Sequence, residues 1–435
     1  MPTLEDTSTT VRATRKPRRA KRLWSLRVHR WTGFALMAWF VFEAVTGSYL
    51  TLGEDIDHWR SPSRYEHTTG DVGPKAAAAA ATARIPGSLA DTITFPSQAH
   101  GVYEILLKVE DGGGGGDLRR AYVDPGSGKV NAVTDPDRGI FTTVLQLHAN
   151  FNLTKVLGIQ TSTIIGWLGI GWLLNLVLGF FVMRRRRRAV RPSWAFRSGR
   201  RPRAFHLAVH NWTGLVILAP LMIAVLTGIA FQFPAQADDV VNLAFPGSSA
   251  TDPRSTTPFS TPSADGRRIS VDAVRDAAVS ANLGTVQSIT VPLGNPAGVY
   301  TVAVDAGGYS PRTGSGRTVT LYADQYSAKL LSLSDPAARS LAGAVTADWI
   351  PGLHFGFFAS WFSKVLWLLI GVATVVLGVT ALGMRKGRFP WQDQQRRAGA
   401  LERRAGLDSA QLEFTSTADK PAPVDVPALD ERNHR

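Results

Sequence analysis

The sequence predicts an α-helical membrane protein with four transmembrane helices in two related halves, each half carrying an external α+β insertion. Three observations predict it. Four apolar runs, roughly 31–52, 156–183, 212–233 and 361–384, each reach the ~20 residues that a spanning helix needs. Basic residues crowd at the ends of these runs, as the positive-inside rule expects. One stretch also repeats: Val28-His29-Arg30-Trp31-Thr32-Gly33 returns as Val209-His210-Asn211-Trp212-Thr213-Gly214. A Thr-Gly pair follows each copy, at Thr46-Gly47 and Thr227-Gly228, with 17 positions from histidine to threonine both times. Shared letters at shared spacing mark an internal duplication.

In chain order, residues 1–22 are polar and then strongly basic, a disordered cytoplasmic tail. Residues 23–52 form the first span, running outward. It is too long for a signal peptide, carries Glu43 and lacks an Ala-x-Ala site, so it is retained. Glu54-Asp55-Ile56-Asp57 marks the exit. Residues 53–140 form the first external module. Helix propensity falls on Ala76–Ala83. Alternating apolar residues place strands at Asp91–Phe95, Gly101–Val109 and Leu118–Val123, with a Gly-rich tip at Asp111–Asp117. Asp124-Pro125-Gly126-Ser127-Gly128 is a turn. Residues 141–183 hold an interfacial helix and the second span.

The loop 184–205 has ten arginines and no acid, which places it in the cytoplasm. Residues 206–233 are the third span. In 234–345 an amphipathic helix, Val271–Asn282, precedes strands at 285–291, 298–304 and 316–323, the same order as in the first module. Residues 346–384 are an interfacial segment and the fourth span, and 385–435 a disordered cytoplasmic tail.

There are 48 Lys+Arg against 34 Asp+Glu. The excess sits at the span ends and calls for membrane lipid rather than nucleic acid as partner. Cysteine is absent, which excludes disulfides, thiolate metal sites and covalent Cys-x-x-Cys-His haem attachment. No phosphate-cradling Gly-Lys loop is present.

Topology sorts the histidines. His29 and His210 lie at the inner ends of the first and third spans. His148 and His354 lie at the outer face, in matching Leu147-His148 and Leu353-His354, each followed by an aromatic and a Lys-Val-Leu. A pseudo-two-fold along the membrane normal would bring His29 to His210 and His148 to His354. Facing neutral imidazoles are what bis-His haem ligation needs, so two haem b groups are expected. For any single interfacial histidine, headgroup anchoring or helix capping is the ordinary explanation; the paired matching favours ligation.

His206, four residues before His210, is a weaker ligand candidate because its repeat counterpart is Ser25. It is an alternative ligand, a propionate contact or an interfacial residue. His58, His67, His100 and His434 have no such pattern and are expected in solvent. Glu43, whose counterpart is Ala224, is either a proton or quinone contact or a hydrogen bond to a neighbouring helix. Trp31 and Trp212 suit porphyrin stacking or interface anchoring. Gly33, Gly47, Gly214 and Gly228 would let a ring or a helix approach closely.

With these openings in order, the sequence resembles the PepSY-associated transmembrane family over roughly 24–388. Ala121–Val130 resembles that family's strand–turn–strand, and Leu321–Leu330 is a degenerate copy. The resemblance implies PepSY-like external domains, a bacterial inner membrane and haem-b-containing iron-uptake proteins, among them reductases of ferric siderophores. It carries onto His29, His148, His210 and His354. The chain has no flavin or nicotinamide domain, so the donor is a separate cytoplasmic reductant or quinol, and the acceptor a ferric siderophore or other external species. The competing reading is a non-enzymatic PepSY membrane module that binds a periplasmic partner or regulates a protease. A permease is disfavoured, because four helices with few polar groups offer no solute path.

Overall fold

The computed structural model describes residues 17–97, 100–109, 117–151, 161–184, 202–250, 257–263 and 266–385. The 1–16 and 386–435 parts of the expected tails, most of the arginine loop and the Gly-rich tip lie outside them. Helix α1 (Pro17–Thr51) begins inside the stretch expected to be a disordered tail. Its first residues, Arg18, Arg19, Ala20, Lys21 and Arg22, are strong helix formers, and Pro17 sits at the first helical position, where a missing N–H costs nothing. After α1 come α2 (Gly53–Arg60), α3 (Pro74–Arg84), strands β1 (Ser88–Thr94), β2 (Tyr103–Val109), β3 (Asp117–Val123) and β4 (Val130–Thr134), then α4 (Ile140–Asn150) and α5 (Thr161–Arg184). The second half follows with α6 (Pro202–Val216), α7 (Leu218–Gln232), α8 (Pro234–Ala244) and α9 (Val271–Ser280). Strands β5 (Thr285–Thr290), β6 (Val299–Asp305), β7 (Thr318–Asp324) and β8 (Leu330–Ser334) lead to α10 (Leu341–Ala344), α11 (Ile350–Phe355) and α12 (Ser360–Arg385).

Among the described residues, three helices are long and apolar enough to cross a membrane, within α1, α5 and α12. The third expected span is not a straight helix: α6 and α7 meet at 63°. The cause is Pro220, which has no N–H for the Val216 carbonyl and whose ring crowds that carbonyl. The bonds on either side survive, Ile217 N–H to Thr213 O at 3.0 Å and Leu221 N–H to Ile217 O at 2.8 Å. In the unbroken α1 the duplicated position is Trp39.

Helix α1 packs on α5 and α12, α12 on α6, and α5 on α7, closing a four-membered ring. Phe40, Trp172, Ile217, Leu221, Ile370 and Leu377 fill its middle. The Phe40 and Trp172 rings stack at 3.8 Å and 19°. A Cβ at Gly371 would lie 2.0 Å from Ser48 Oγ, so α1 and α12 cross with no room for a side chain there.

The two insertions are not separate modules. They form one eight-stranded antiparallel sheet in the order β4-β3-β2-β1-β5-β6-β7-β8. The seam pairs Thr92 with Thr290, Ile93 with Ile289 and Thr94 with Ser288. Phe95 N–H to Gln287 O and Val291 N–H to Asp91 O, both 2.8 Å, extend it at either end. Each four-stranded half alone would leave a row of unpaired N–H and C=O groups on β1 or β5; pairing the two edges removes that liability. Alternate residues such as Tyr103, Ile105 and Leu107, or Val302 and Val304, point into the core under α3 and α9. Phe95, Val271 and Val291 touch both halves of that core.

The strand–turn–strand and its degenerate copy are geometrically equivalent. Val123 pairs with Val130 and Ala323 with Leu330. In each turn an aspartate is the hub. Asp124 accepts from Thr68 N–H and Thr68 Oγ (2.7 Å each) and from Ser127 Oγ (2.5 Å). Asp324 accepts from Tyr326 N–H (2.9 Å), Ser327 N–H (2.8 Å) and Thr261 N–H (3.2 Å). Burial alone would raise the Asp124 carboxyl, but the donations from Ser127, Thr68 and Gly126 outweigh it and hold the group well below its ordinary 3.8.

Because the folded-state value is depressed, this carboxylate stabilises the sheet above 3.8 and the contribution is lost as pH falls through the folded-state value. Thermal melting of the sheet domain should therefore be level above about pH 5 and fall below about pH 4. Asp124→Ala should cost about 2 kcal/mol or more at neutral pH and flatten that acid limb.

Candidate functional site

His148 stands near the end of α4 and His354 near the end of α11. Both helices stop in a left-handed residue, Phe151 (φ 55°) and Gly356 (φ 73°). The two imidazoles face each other with ring centres 6.2 Å apart and planes at 47°. His148 Nδ1 lies 2.9 Å from Thr46 Oγ and His354 Nδ1 lies 3.1 Å from Thr227 Oγ. The threonine hydroxyl hydrogens are committed elsewhere, to Phe42 O (2.9 Å) and Ile223 O (2.8 Å) one helical turn back. Towards the imidazoles they can only accept. Beside each threonine sits its glycine: a Cβ at Gly47 or Gly228 would lie 3.1 Å from the His148 or His354 Cε1. The duplicated Thr-Gly pair is thus one acceptor plus the space for one ring.

The second pair lies at the bundle end away from the sheet. His29 of α1 and His210 of α6 have ring centres 6.5 Å apart and planes at 65°. His29 Nδ1 donates to Asn175 O at 3.1 Å, and Asn175 Nδ2 returns bonds to His29 O (2.9 Å) and Thr32 Oγ (2.5 Å). His210 Nδ1 donates to Leu377 O at 3.2 Å, with Thr380 Oγ also at 3.2 Å. Both rings line a mostly apolar cavity of about 220 Å³ walled by Phe34, Phe40, Trp172 and Phe180, with Arg30, Asn175 and Asn211 among its polar lining. That exceeds the roughly 150 Å³ that takes up benzene.

Carbonyl oxygens only accept, and so do the two committed threonines. Every one of the four Nδ1 atoms therefore carries its hydrogen, and the lone pair of the neutral ring is on Nε2. An outer partner that fixes the tautomer in this way is what metal-ligating histidines have. Spacing agrees. Ring centres 6.2 and 6.5 Å apart would leave room for one metal atom between the two imidazoles of each pair, at bond lengths of about 2 Å. Among the described residues no group of three or more His, Cys, Asp or Glu could hold a bare metal ion. Each pair, His29 with His210 and His148 with His354, could hold a metal already bound within a prosthetic group such as haem, which would supply redox chemistry there.

The chain belongs to the PepSY-associated TM family. The family model, for the PepSY-associated TM region, matches residues 26–385, which takes in all four imidazoles and ends with α12. No curated protein matches the chain.

Other expected residues of this PepSY-associated TM chain lie elsewhere. His206 does not join His29 and His210; it packs on α12, where a Cβ at Gly383 would lie 2.6 Å from its ring. One turn before His210, it is carried to α12 rather than into the cavity. Trp31, 73 % exposed, and Trp212 do not line the cavity. His58 and His67 are exposed, as expected, whereas His100 is half-buried; His58 and His100 flank Tyr65, 4.5 Å from His58 to Tyr65 and 5.4 Å from Tyr65 to His100. His67 Nδ1 is 3.1 Å from Tyr65 O, and His434 lies outside the described residues. Glu43, buried, proves to be a direct partner of His148: its Oε2 is 2.9 Å from Nδ1, while its Oε1 accepts from Trp39 Nε1 at 2.9 Å.

Sequence reasoning missed Asn175, Thr380 and the loop joining β6 to β7. No repeat marks them. Tyr309 Oη of that loop donates to Phe358 O at 2.5 Å, and Arg312 Nη1 to Ala347 O at 3.1 Å. The loop thus grips both sides of the helix that carries His354. A Cβ at Gly352 would lie 1.8 Å from Pro311 O, so only glycine lets the two backbones meet. Gly352→Ala should push the loop off α11 and lower the melting stability by about 1–3 kcal/mol, the cost of overpacking. Proteolysis between 307 and 316 should accelerate in the same variant.

Proposed function

We propose that this protein carries electrons across a bacterial inner membrane, from the cytoplasmic side or from quinol to an external acceptor, with a ferric siderophore as the acceptor in iron uptake. The observation that carries this reading is the set of two facing imidazole pairs with every Nδ1 already committed. His29 and His210 would hold one haem b, and His148 and His354 the other; when bound, each supplies a one-electron Fe(III)/Fe(II) couple. The chain's own residues do the rest. Asn175, Leu377, Thr46 and Thr227 hold the rings as neutral Nε2 donors. Phe34, Phe40 and Trp172 keep the cavity beside His29 apolar. On α1, the 17 residues from His29 to Thr46 rise about 25 Å, most of the ~30 Å hydrocarbon thickness.

Orientation follows from charge. The basic ends of α1, α5 and α12, at Arg27, Arg184 and Arg385, lie away from the sheet. The sheet is then external, both termini are cytoplasmic, and the bent α6–α7 pair is the fourth span.

The purified protein should hold two haem b per chain with low-spin bis-His spectra. His29→Ala or His210→Ala should remove the inner haem only, His148→Ala or His354→Ala the outer one only, and His206→Ala neither. Protein made with ample haem supply yet lacking a Soret band would sink the reading and leave the binding-module alternative. A second expectation separates the two anchors. Thr227→Val leaves His354 Nδ1 without its side-chain acceptor and should weaken outer haem retention roughly 10–100-fold. Thr46→Val should cost less, since Glu43 still holds His148. Haem transfer to apomyoglobin measures both.

A further inference from the structure

We propose that Glu43 is a positioning residue that makes the two ligands of the outer pair unequal, holding His148 as the more electron-donating imidazole and so setting the outer site as a strong reductant. This rests on the haem reading above.

The duplication supplies the contrast. Histidine, threonine and glycine are copied between the halves at this site, but the carboxylate is not: the position that is Glu43 in α1 is Ala224 in α7. Its support is missing as well, since Trp39, which donates to Glu43 Oε1 at 2.9 Å, corresponds to the helix-breaking Pro220. His354 therefore has a neutral hydroxyl at Nδ1, whereas His148 has the same hydroxyl and a carboxylate oxygen at 2.9 Å.

A buried carboxylate within a spanning helix is costly and persists where it is hydrogen-bonded to a partner. Here N–H groups of Trp39 and His148 occupy one oxygen each. A carboxylate accepting from Nδ1–H raises the basicity of Nε2, which favours the oxidised state of a metal bound there. The negative charge acts in the same direction, and poor solvent access keeps it effective. Both effects lower the potential of the outer site and leave the inner one, held by backbone carbonyls, untouched.

The test is a spectroelectrochemical titration of the full-length, haem-loaded protein, with His148→Ala used to assign the outer midpoint. Glu43→Gln should raise the outer midpoint by at least a tenfold change in the oxidised-to-reduced ratio at fixed poise, about 59 mV for one electron, with the inner midpoint and haem content unchanged. Ala224→Glu, which gives His354 the missing carboxylate, should move the outer midpoint the opposite way. Two haems with an unmoved outer midpoint in Glu43→Gln would reduce Glu43 to a helix contact and overturn the inference. If Glu43→Gln sheds the outer haem, Ala224→Glu decides: an unmoved midpoint overturns the inference there too. Wild-type protein without haem would instead overturn the underlying function.

Discussion

The interaction on which the rest depends is the bond from each Nδ1 to an acceptor in its own half of the chain. His29 of α1 is held by α5, and His148 of α4 by α1. His210 of α6 is held by α12, and His354 of α11 by α7. Anchoring is therefore complete within each half, whereas facing requires both: each ring pair takes one imidazole from either half. The same division runs through the sheet, where β1 and β5 are edges until the halves meet. A duplicated unit that orients a donor but cannot use it alone explains why His, Thr and Gly are all copied with one spacing.

That spacing has a physical meaning. An α1-type helix carries the histidine of one pair and, 17 residues on, the threonine that anchors the other. At 1.5 Å per residue it is a ruler of about 25 Å. The second half keeps the interval although Pro220 breaks the helix within it. The first half, free of that proline, places Trp39 and Glu43 there instead. The copies agree where the rings must be held and diverge one turn away, where the environment of a single ring can differ without displacing it.

Much of this was legible in the sequence, and the reasons differ for the remainder. The pairing of His29 with His210 and of His148 with His354 followed from the duplication and from membrane side. The strands followed from alternation, as in Tyr103–Val109. The seam did not, because β1 and β5 lie nearly two hundred residues apart and edge pairing leaves no periodic trace in either strand. The bend at Pro220 was masked by unbroken hydropathy, although the proline itself was the available signal. The partner of Glu43 could not be found by pattern, since only one half has it. His206 was a weaker candidate for the same reason, having Ser25 as its counterpart, and the structure turns it onto Gly383. His58 and His100 gather around Tyr65 through a loop and a short helix, where sequence distance says nothing of contact.

The seam and the ring pairs also constrain one another. Both lie on the boundary between halves, and both bring equivalent positions together, Ile93 to Ile289 in the sheet and His148 to His354 in the bundle. A slip of one residue at the seam would shift the halves by about 3.3 Å and turn Ile93 or Ile289 out of the core. The same shift carried to the imidazoles would be comparable to half their 6.2 Å separation. The apolar register of two central isoleucines therefore acts together with the helix contacts between the halves in keeping His148 and His354 6.2 Å apart. The fused sheet thus closes its own edges and adds a second register to the one already set by α1 on α12 and α5 on α7.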